Sequence, residues 1–312
     1  MTVYTSIALF VSPIIVLQIY NRWNHTERIY IDRTITYEKP TYNYREIPKL
    51  IEHPIELIWG PSLYLIVYQM GIAHAICSKI DHRILLSKLL LSGVSGGSAT
   101  ATAMTATLHG VGDMQYWYYY HLRKMSIDSS YYNCLWRSHT AWNCVYEVAK
   151  ICEILGMKPI DWETRYKAFT TDLTTWKLKI LNKFPNAYSL ADAVVASGFV
   201  PFILSPFLYF LTRDTESNQL LRYMDGGFTF SFKNYNPANS AVNFSLFHKT
   251  NKHTPTSIDG FTRTYYSISN GINFITDNYK IITDVKLADE LFNKGYEFGC
   301  KNLPEIKLLL QL

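Results

Sequence analysis

A serine set between glycines is the sharpest chemical feature of this 312-residue sequence. Residues 93–97 read Gly-Val-Ser-Gly-Gly and fit the pattern G-x-S-x-G, with Gly93 and Gly97 around Ser95. In this pattern the serine occupies a tight turn from a strand into a helix, where larger flanking side chains would collide. The helix that follows directs its N–H groups and the positive end of its dipole at the reacting centre, where an oxyanion forms. The motif therefore predicts Ser95 as a nucleophile.

A second chemical feature is an aspartate near the end of a later strand-like run. Asp225 follows residues 220–224 and precedes Gly226 and Gly227, which let the backbone come close. A carboxylate in this position could take the proton of the serine. An ordinary Asp-Gly turn is the alternative interpretation, because this dipeptide is a common turn signal.

The elements that must position these residues alternate between strands and helices. We predict strands at 55–59, 89–91, 166–170, 177–181 and near 223–224, and helices at 65–76, 99–108 and 191–200. Such alternation predicts an α/β fold with a mostly parallel central sheet covered on both faces.

Composition excludes several classes of protein. Hydrophobic residues make up 48% and charged residues 18% of the chain, which excludes disorder as its main state. The net charge of +5 falls short of the basic surface of a nucleic-acid binder, so no nucleic-acid partner is expected. The five cysteines form no C-x-x-C pair and no zinc spacing, which predicts reduced thiols and no metal site. The aromatic fraction of 15% is compatible with a lipid surface or with codon bias.

The N-terminal segment predicts an association with a membrane. Residues 2–21 carry no charged side chain and are just long enough to span a bilayer, and Arg22, Arg28 and Arg33 follow them. The positive-inside rule then places the bulk of the chain in the cytosol. An apolar helix docked on the domain is the alternative. A second candidate for membrane contact is the aromatic run 116–120, which could equally form a core helix with one solvated face.

Four blocks, in the same order, resemble the patatin-like phospholipases. They are the G-x-S-x-G motif, Thr170-Thr171-Asp172-Leu173, residues 189–202 with the pattern A-V-x-A-S-x-x-x-P-F, and Asp225-Gly226-Gly227. The resemblance covers residues 55 to 230. It implies a three-layer sandwich domain over residues 54–240, preceded by an anchor at 1–21 and a linker at 22–53, and followed by a C-terminal extension at 241–312.

The resemblance also implies a function, which is lipid acyl hydrolysis by a Ser–Asp dyad without a cofactor. Ser95 would attack an ester of a phospholipid or an acylglycerol at a membrane surface, and Asp225 would take and return the proton. No histidine is required. A Ser95–Asp225–His248 triad of the α/β-hydrolase type is the alternative, although His248 and His253 lie in a polar, loop-like stretch.

One loop departs from the family pattern. Where the family has a glycine-rich oxyanion loop, this sequence reads Gly60-Pro61-Ser62-Leu63, and Pro61 has no N–H to donate. The predicted oxyanion donors are therefore the N–H groups of Gly60, Ser62, Leu63 and Gly96. Because the loss of one donor typically costs about 100- to 1,000-fold in turnover, a catalytically weak lipid-binding or scaffold protein is a further alternative. A second departure is the absence of the family's N-x-P after Asp225.

Overall fold

The computed structural model describes residues 47–123, 138–154, 156–157, 162–201, 207–214, 217, 219–247, 256–258, 261–269, 272–273, 276–278, 281 and 285–312. The predicted anchor at 2–21 and most of the predicted linker lie outside these residues, as do His248 and His253.

A nine-stranded sheet organises the described part of the chain. Its strands are β1 Ile55–Trp59, β2 Leu89–Val94, β3 Tyr166–Asp172, β4 Lys177–Leu181, β5 Phe210–Arg213, β6 Leu220–Asp225, β7 Ala241–Ser245, β8 Thr256–Ile258 and β9 Phe261–Ser267. The order is β5-β6-β3-β2-β1-β7-β9-β8, with β4 paired to β3. The five central strands from β3 to β9 are parallel, and the outer pairings are antiparallel. The predicted α/β class with a mostly parallel sheet is confirmed.

Helices follow the parallel strands and flank the sheet. They are α1 Ile66–Lys79, α2 His82–Lys88, α3 Gly96–Leu108, α4 Met114–Trp117, α5 Ser138–Ile154, α6 Ala187–Ser197, α7 Val285–Lys301 and α8 Leu303–Leu309. Short 3-10 turns cover Leu63–Leu65 and Gly226–Phe228, and a π turn covers Tyr118–Arg123. The apolar run 84–91 is divided between α2 and β2. Asp81 caps the start of α2 by accepting a hydrogen bond from the Arg83 N–H at 2.7 Å.

The main hydrophobic core lies between the helices and one face of the sheet. Side chains alternate along a strand, so Leu57, Trp59 and Leu91 point into this core with the apolar side chains of α1, α3 and α6. A smaller cluster on the other face includes Phe169 and Tyr235.

A buried polar network stands beside the smaller cluster. The Glu56 carboxylate is 1% exposed and accepts hydrogen bonds from Ser92 Oγ, from Tyr235 Oη at 2.6 Å and from Lys167 Nζ at 3.3 Å. Since each oxygen of the carboxylate is satisfied, the network ties three parallel strands to the segment that follows β6.

The described residues after 240 continue the same sheet. β7 begins at Ala241 and pairs in parallel with β1, and α7 packs along α1. The two helices are so close that a Cβ at Gly295 would collide with the Tyr68 carbonyl oxygen, and one at Gly71 with the Phe292 carbonyl oxygen. The predicted boundary at residue 240 is therefore not visible as a break in the fold.

Two expectations about membranes meet different outcomes. Among the described residues, no single helix has the length and hydropathy to cross a bilayer; Leu63–Lys79 and His82–Lys88 reach the threshold only as a pair bent by 111°. The predicted spanning helix at 2–21 stays a prediction. In the aromatic run, Trp117 and Tyr118 are buried, and Tyr118 stacks on Phe292 with 4.3 Å between the ring centroids, as expected for a core helix.

Candidate active site

Ser95 occupies a strained turn between β2 and α3. Its φ of 59° and ψ of −132° are rarely adopted by a residue with a side chain. The turn is possible because glycines surround it: a Cβ at Gly97 would collide with the Trp59 carbonyl oxygen, and one at Gly93 with the Ser98 backbone. The predicted strand-to-helix turn with small flanking residues is therefore present.

Ser197 holds the turn from the other side. Its Oγ accepts a hydrogen bond from the Ser95 N–H at 3.0 Å and donates one to the Phe169 carbonyl oxygen at 2.7 Å. Ser197 is fully buried at the end of α6, within the A-S segment of the third sequence block. The sequence block contains this residue but does not indicate a role for it.

The register of β3 brings the serine and the aspartate together. Val94, the last residue of β2, pairs with Phe169, and the next residue of β3, Thr170, pairs with Asp225 at the end of β6. Ser95, which follows β2, and Asp225, which ends β6, therefore lie near each other beside the Phe169–Thr170 peptide of β3.

Ser95 and Asp225 are in direct contact. Ser95 Oγ donates a hydrogen bond to Asp225 Oδ2 at 2.5 Å, and the Gly227 N–H donates to Asp225 Oδ1 at 2.7 Å. Burial raises the pKa of Asp225 to about 6, against the opposing effect of these two hydrogen bonds. At neutral pH the carboxylate is thus mostly ionised and acceptor-only, which is the state that a general base requires.

The predicted oxyanion donors do not share one environment. The Gly60 N–H already donates to the Phe244 carbonyl oxygen at 3.0 Å within the sheet, so this predicted donor is not available to a ligand. Leu63 has a φ of 50° and lines a cavity beside Ser95 and Gly96. Ser62 is buried, and its Oγ lies 2.4 Å from the position that a Cβ at Gly96 would take.

Two polar side chains fix this loop. Asn278 Oδ1 accepts hydrogen bonds from the N–H groups of Tyr64 at 2.7 Å and Leu65 at 3.1 Å, and Gln69 Nε2 donates to the Gly60 carbonyl oxygen at 2.8 Å. Asn278 is fully buried and stands 214 residues away from Tyr64. No sequence motif marks this residue, so it could not be found before the fold was known.

An apolar cavity of about 150 Å³ opens at Ser95. Its lining residues are Leu63, Tyr64, Ile66, Met70, Ser95, Gly96, Ala99, Thr102, Ala103, Trp117, Leu122, Ala141, Cys144, Val145, Val148, Val194, Val195 and Gly198. Within the described part of the chain, no group of three or more His, Cys, Asp or Glu side chains could hold a metal ion.

Comparison with known proteins decides the family. A family model described as patatin-like phospholipase matches residues 64–242, more than half of the chain. The chain belongs to the patatin-like phospholipase family. The match begins directly after residues 60–63, the loop in which the sequence departs from the family's glycine-rich pattern.

Other comparisons are sparse. None of the curated proteins matches the chain. Among solved structures, VipD from Legionella pneumophila resembles it with a TM-score of 0.36 and 12% identity, over 90% of this chain and 72% of VipD. A likeness this loose carries no inference about activity.

For a patatin-like phospholipase, the site holds the groups that acyl transfer requires. A serine is hydrogen-bonded to a buried carboxylate, α3 begins directly after this serine, and the serine lines an apolar cavity. The Ser95 side chain forms no cap on α3. The Ser98 N–H donates to the Ser95 carbonyl oxygen at 2.9 Å, and the N–H groups of Gly96 and Gly97 precede it at the start of the helix.

Proposed function

We propose that this chain hydrolyses carboxylic esters of lipids through Ser95 and Asp225. The observation that carries the proposal is the 2.5 Å hydrogen bond to a buried aspartate from Ser95 Oγ, whose residue lines an apolar cavity. Family membership supports a phospholipid or an acylglycerol as the substrate.

The reaction proceeds through an acyl-serine. Ser95 Oγ attacks the ester carbonyl carbon while its proton passes to Asp225 Oδ2. The bond to the leaving alcohol then breaks, and Asp225 returns the proton to the alcohol oxygen. Water attacks the acyl-serine, gives a proton to Asp225, and releases the fatty acid as Ser95 recovers its proton.

The negative oxygen of the tetrahedral intermediate needs donors other than Gly60. The N–H of Gly96, at the first position of α3, combines the direction of a backbone donor with the positive end of the helix dipole. The N–H groups of Leu63 and Ser62 complete the set, and the strained φ of Leu63 is consistent with a loop shaped for this purpose.

A serine-reactive fluorophosphonate probe tests the proposal most directly. We expect the probe to label the purified wild-type chain and the matched control Ser87→Ala, and to leave Ser95→Ala unlabelled. Absence of labelling in a folded wild-type chain would instead support a lipid-binding or scaffold protein without catalysis.

The choice between dyad and triad needs a separate experiment. A double variant with alanine at His248 and His253 should keep the wild-type kcat for a lipid ester, whereas Asp225→Asn should lower it by about 100-fold or more. A folded histidine variant without turnover would favour the Ser95–Asp225–His248 triad.

We further propose that the chain acts at a lipid surface, as its substrate would require. On one face of the β5–β6 hairpin, Leu211 lies opposite Arg222 and Leu220 lies opposite Arg213, with the two leucines 48% and 56% exposed. Phe207, just before this hairpin, is 68% exposed. Large apolar side chains interspersed with basic ones are typical of surfaces that insert into anionic bilayers.

Liposome sedimentation tests this surface. We expect Leu211→Ser combined with Leu220→Ser to reduce binding to vesicles of phosphatidylcholine and phosphatidylserine several-fold. Leu308→Ser, which changes a leucine that is 79% exposed on α8, is the matched control and should bind as the wild type does. Equal binding by all three proteins would remove this hairpin as the contact.

A further inference from the structure

The cavity beside Ser95 follows one face of α3. From α3 it is lined by Gly96, Ala99, Thr102 and Ala103, which are spaced by three or four residues and therefore lie on one side of the helix. The distance along the axis from Gly96 to Ala103 is about 10 Å at about 1.5 Å per residue. The cavity thus leads from the nucleophile into the core, parallel to α3.

The facing walls are apolar and also helical. α1 contributes Ile66 and Met70, one turn apart, and α5 contributes a row that includes Cys144, Val145 and Val148. The one hydroxyl of α3 that lies deep in the cavity is satisfied, since Thr102 Oγ1 donates to the Ser98 carbonyl oxygen at 2.9 Å. An apolar cavity of this size holds no strongly bound water and accepts apolar ligands.

The lining from α3 ends at Ala103, although the helix continues to Leu108. Gly112 follows the last residue of α3, Leu108, by four positions, and a Cβ at Gly112 would lie 3.1 Å from atoms of the Trp117 ring. The Trp117 ring, which also lines the cavity, therefore packs against the segment that follows α3. Trp117 is 1% exposed, so this part of the lining is shielded from solvent.

We propose that this cavity binds the acyl chain of the substrate and selects medium-length chains of about eight carbons. The inference rests on the proposed function, because the acyl carbonyl must lie at Ser95. Carbon–carbon bonds of about 1.5 Å in a zigzag chain advance somewhat less than that per carbon, so about eight carbons fill the distance from Gly96 to Ala103. Longer chains cannot be buried completely.

Ala103 sets the length because its small side chain leaves the inner half of the cavity open. A leucine at this position would occupy the space of the terminal carbons, while the outer half beside Gly96 and Ala99 would be unchanged. The position is a specificity determinant and is separate from the reacting groups, which lie two turns of α3 away.

Hydrolysis of p-nitrophenyl esters from butanoate to hexadecanoate by the full chain tests the selection. The wild type should show its highest kcat/KM near octanoate. Ala103→Leu should lower the octanoate to butanoate ratio of kcat/KM by at least about tenfold, because each methylene in a fitted apolar pocket contributes about tenfold or more. Ala238→Leu, the same change at an exposed position outside the cavity, is the control and should keep the profile.

A second measurement does not depend on turnover. Calorimetry measures the binding of free octanoate, dodecanoate and hexadecanoate to Ser95→Ala. Octanoate should have the largest binding free energy per carbon atom of the ligand. The added change Ala103→Leu should weaken octanoate binding. If Ala103→Leu does not fold, the chain-length series on the wild type and on Ser95→Ala decides alone.

The outcomes separate the two proposals. Medium-chain binding without any hydrolysis would support the acyl site and reject the proposed function. Hydrolysis with an equal or higher kcat/KM for hexadecanoate, or an Ala103→Leu profile identical to that of the wild type, would overturn the chain-length proposal and leave the esterase activity intact.

Discussion

The carboxyl group of Asp225 meets two opposing demands. A base that accepts a proton from Ser95 must be ionised, yet it is only 4% exposed, and burial penalises the charged form. The hydrogen bonds from Ser95 Oγ and the Gly227 N–H offset part of this penalty and leave the pKa at about 6. The residue is therefore an effective base at neutral pH at some expense of stability.

The pKa of Asp225 predicts the pH dependence of activity. Because the ionised carboxylate is the active form, kcat/KM should be nearly constant above pH 7 and should fall about tenfold per pH unit below about 6. Initial rates with a soluble short-chain ester between pH 4.5 and 8 measure this profile. A profile without a decrease between pH 7 and 5 would exclude Asp225 as the base.

The same pKa predicts the effect of Asp225→Asn on stability. A carboxyl group whose pKa is raised from 3.8 to about 6 on folding contributes stability at low pH and loses it as the pH rises through about 6. The asparagine variant should therefore gain in Tm relative to the wild type, more at pH 7.5 than at pH 4.5. Thermal unfolding at both pH values measures the difference; a gain that does not increase with pH would contradict the raised pKa.

At the scale of elements, the meeting of β2, β3 and β6 creates the site. β3 pairs with β2 up to Phe169 and with β6 from Thr170 onward. β3 therefore holds the strand that leads to Ser95 and the strand that carries Asp225 next to each other. The strands themselves were predictable from local apolar runs, and the turn at Ser95 from its glycines. The pairing of β6 against β3 was not, because a partner strand leaves no mark in the sequence of either strand.

The supporting side chains were beyond sequence reasoning for a similar reason. Ser197 accepts a hydrogen bond from a backbone N–H 102 residues away, and Asn278 accepts two from backbone N–H groups 214 and 213 residues away. A serine in a helix and an asparagine in a short helical turn are ordinary locally, so only the assembled fold distinguishes them. The oxyanion loop shows the reverse case: Gly60 matched the family pattern, but its N–H is used by β7.

The contact between α1 and α7 predicts a large effect for a small substitution. Gly295→Ala would push a methyl group against the Tyr68 carbonyl oxygen, and the helices can separate only by losing contacts along their length. We expect a loss of about 1–3 kcal/mol and a decrease in Tm of several degrees. Lys294→Ala, at the adjacent exposed position, is the control and should leave Tm unchanged within about 1–2 °C.

For the whole molecule, the residues after 240 are part of the hydrophobic core. Val242 and Phe244 of β7 and Leu291 and Phe292 of α7 belong to the same cluster as the side chains of β1 and α1. The family match ends at residue 242, so the extent of the match underestimates the part of the chain that the fold requires.

Truncation after residue 240 should therefore abolish folding. It would expose the β1 edge of the sheet and one side of α1, and would remove Asn278 from the loop 60–65. Size-exclusion chromatography and circular dichroism should show an aggregated or unfolded chain. A monomeric truncated chain that still reacts with a fluorophosphonate would show that these residues are dispensable.

The separation of Ser95 and Asp225 along the chain has a consequence for biosynthesis. The two residues are 130 positions apart, and Asp225 lies on β6, which is synthesised after β2 and β3. At about 5–20 residues per second, roughly 6–26 s pass between synthesis of the nucleophile and synthesis of the base. On the proposed mechanism, a nascent chain beside a cellular membrane thus remains harmless to it at least until nearly three quarters of its length has been made.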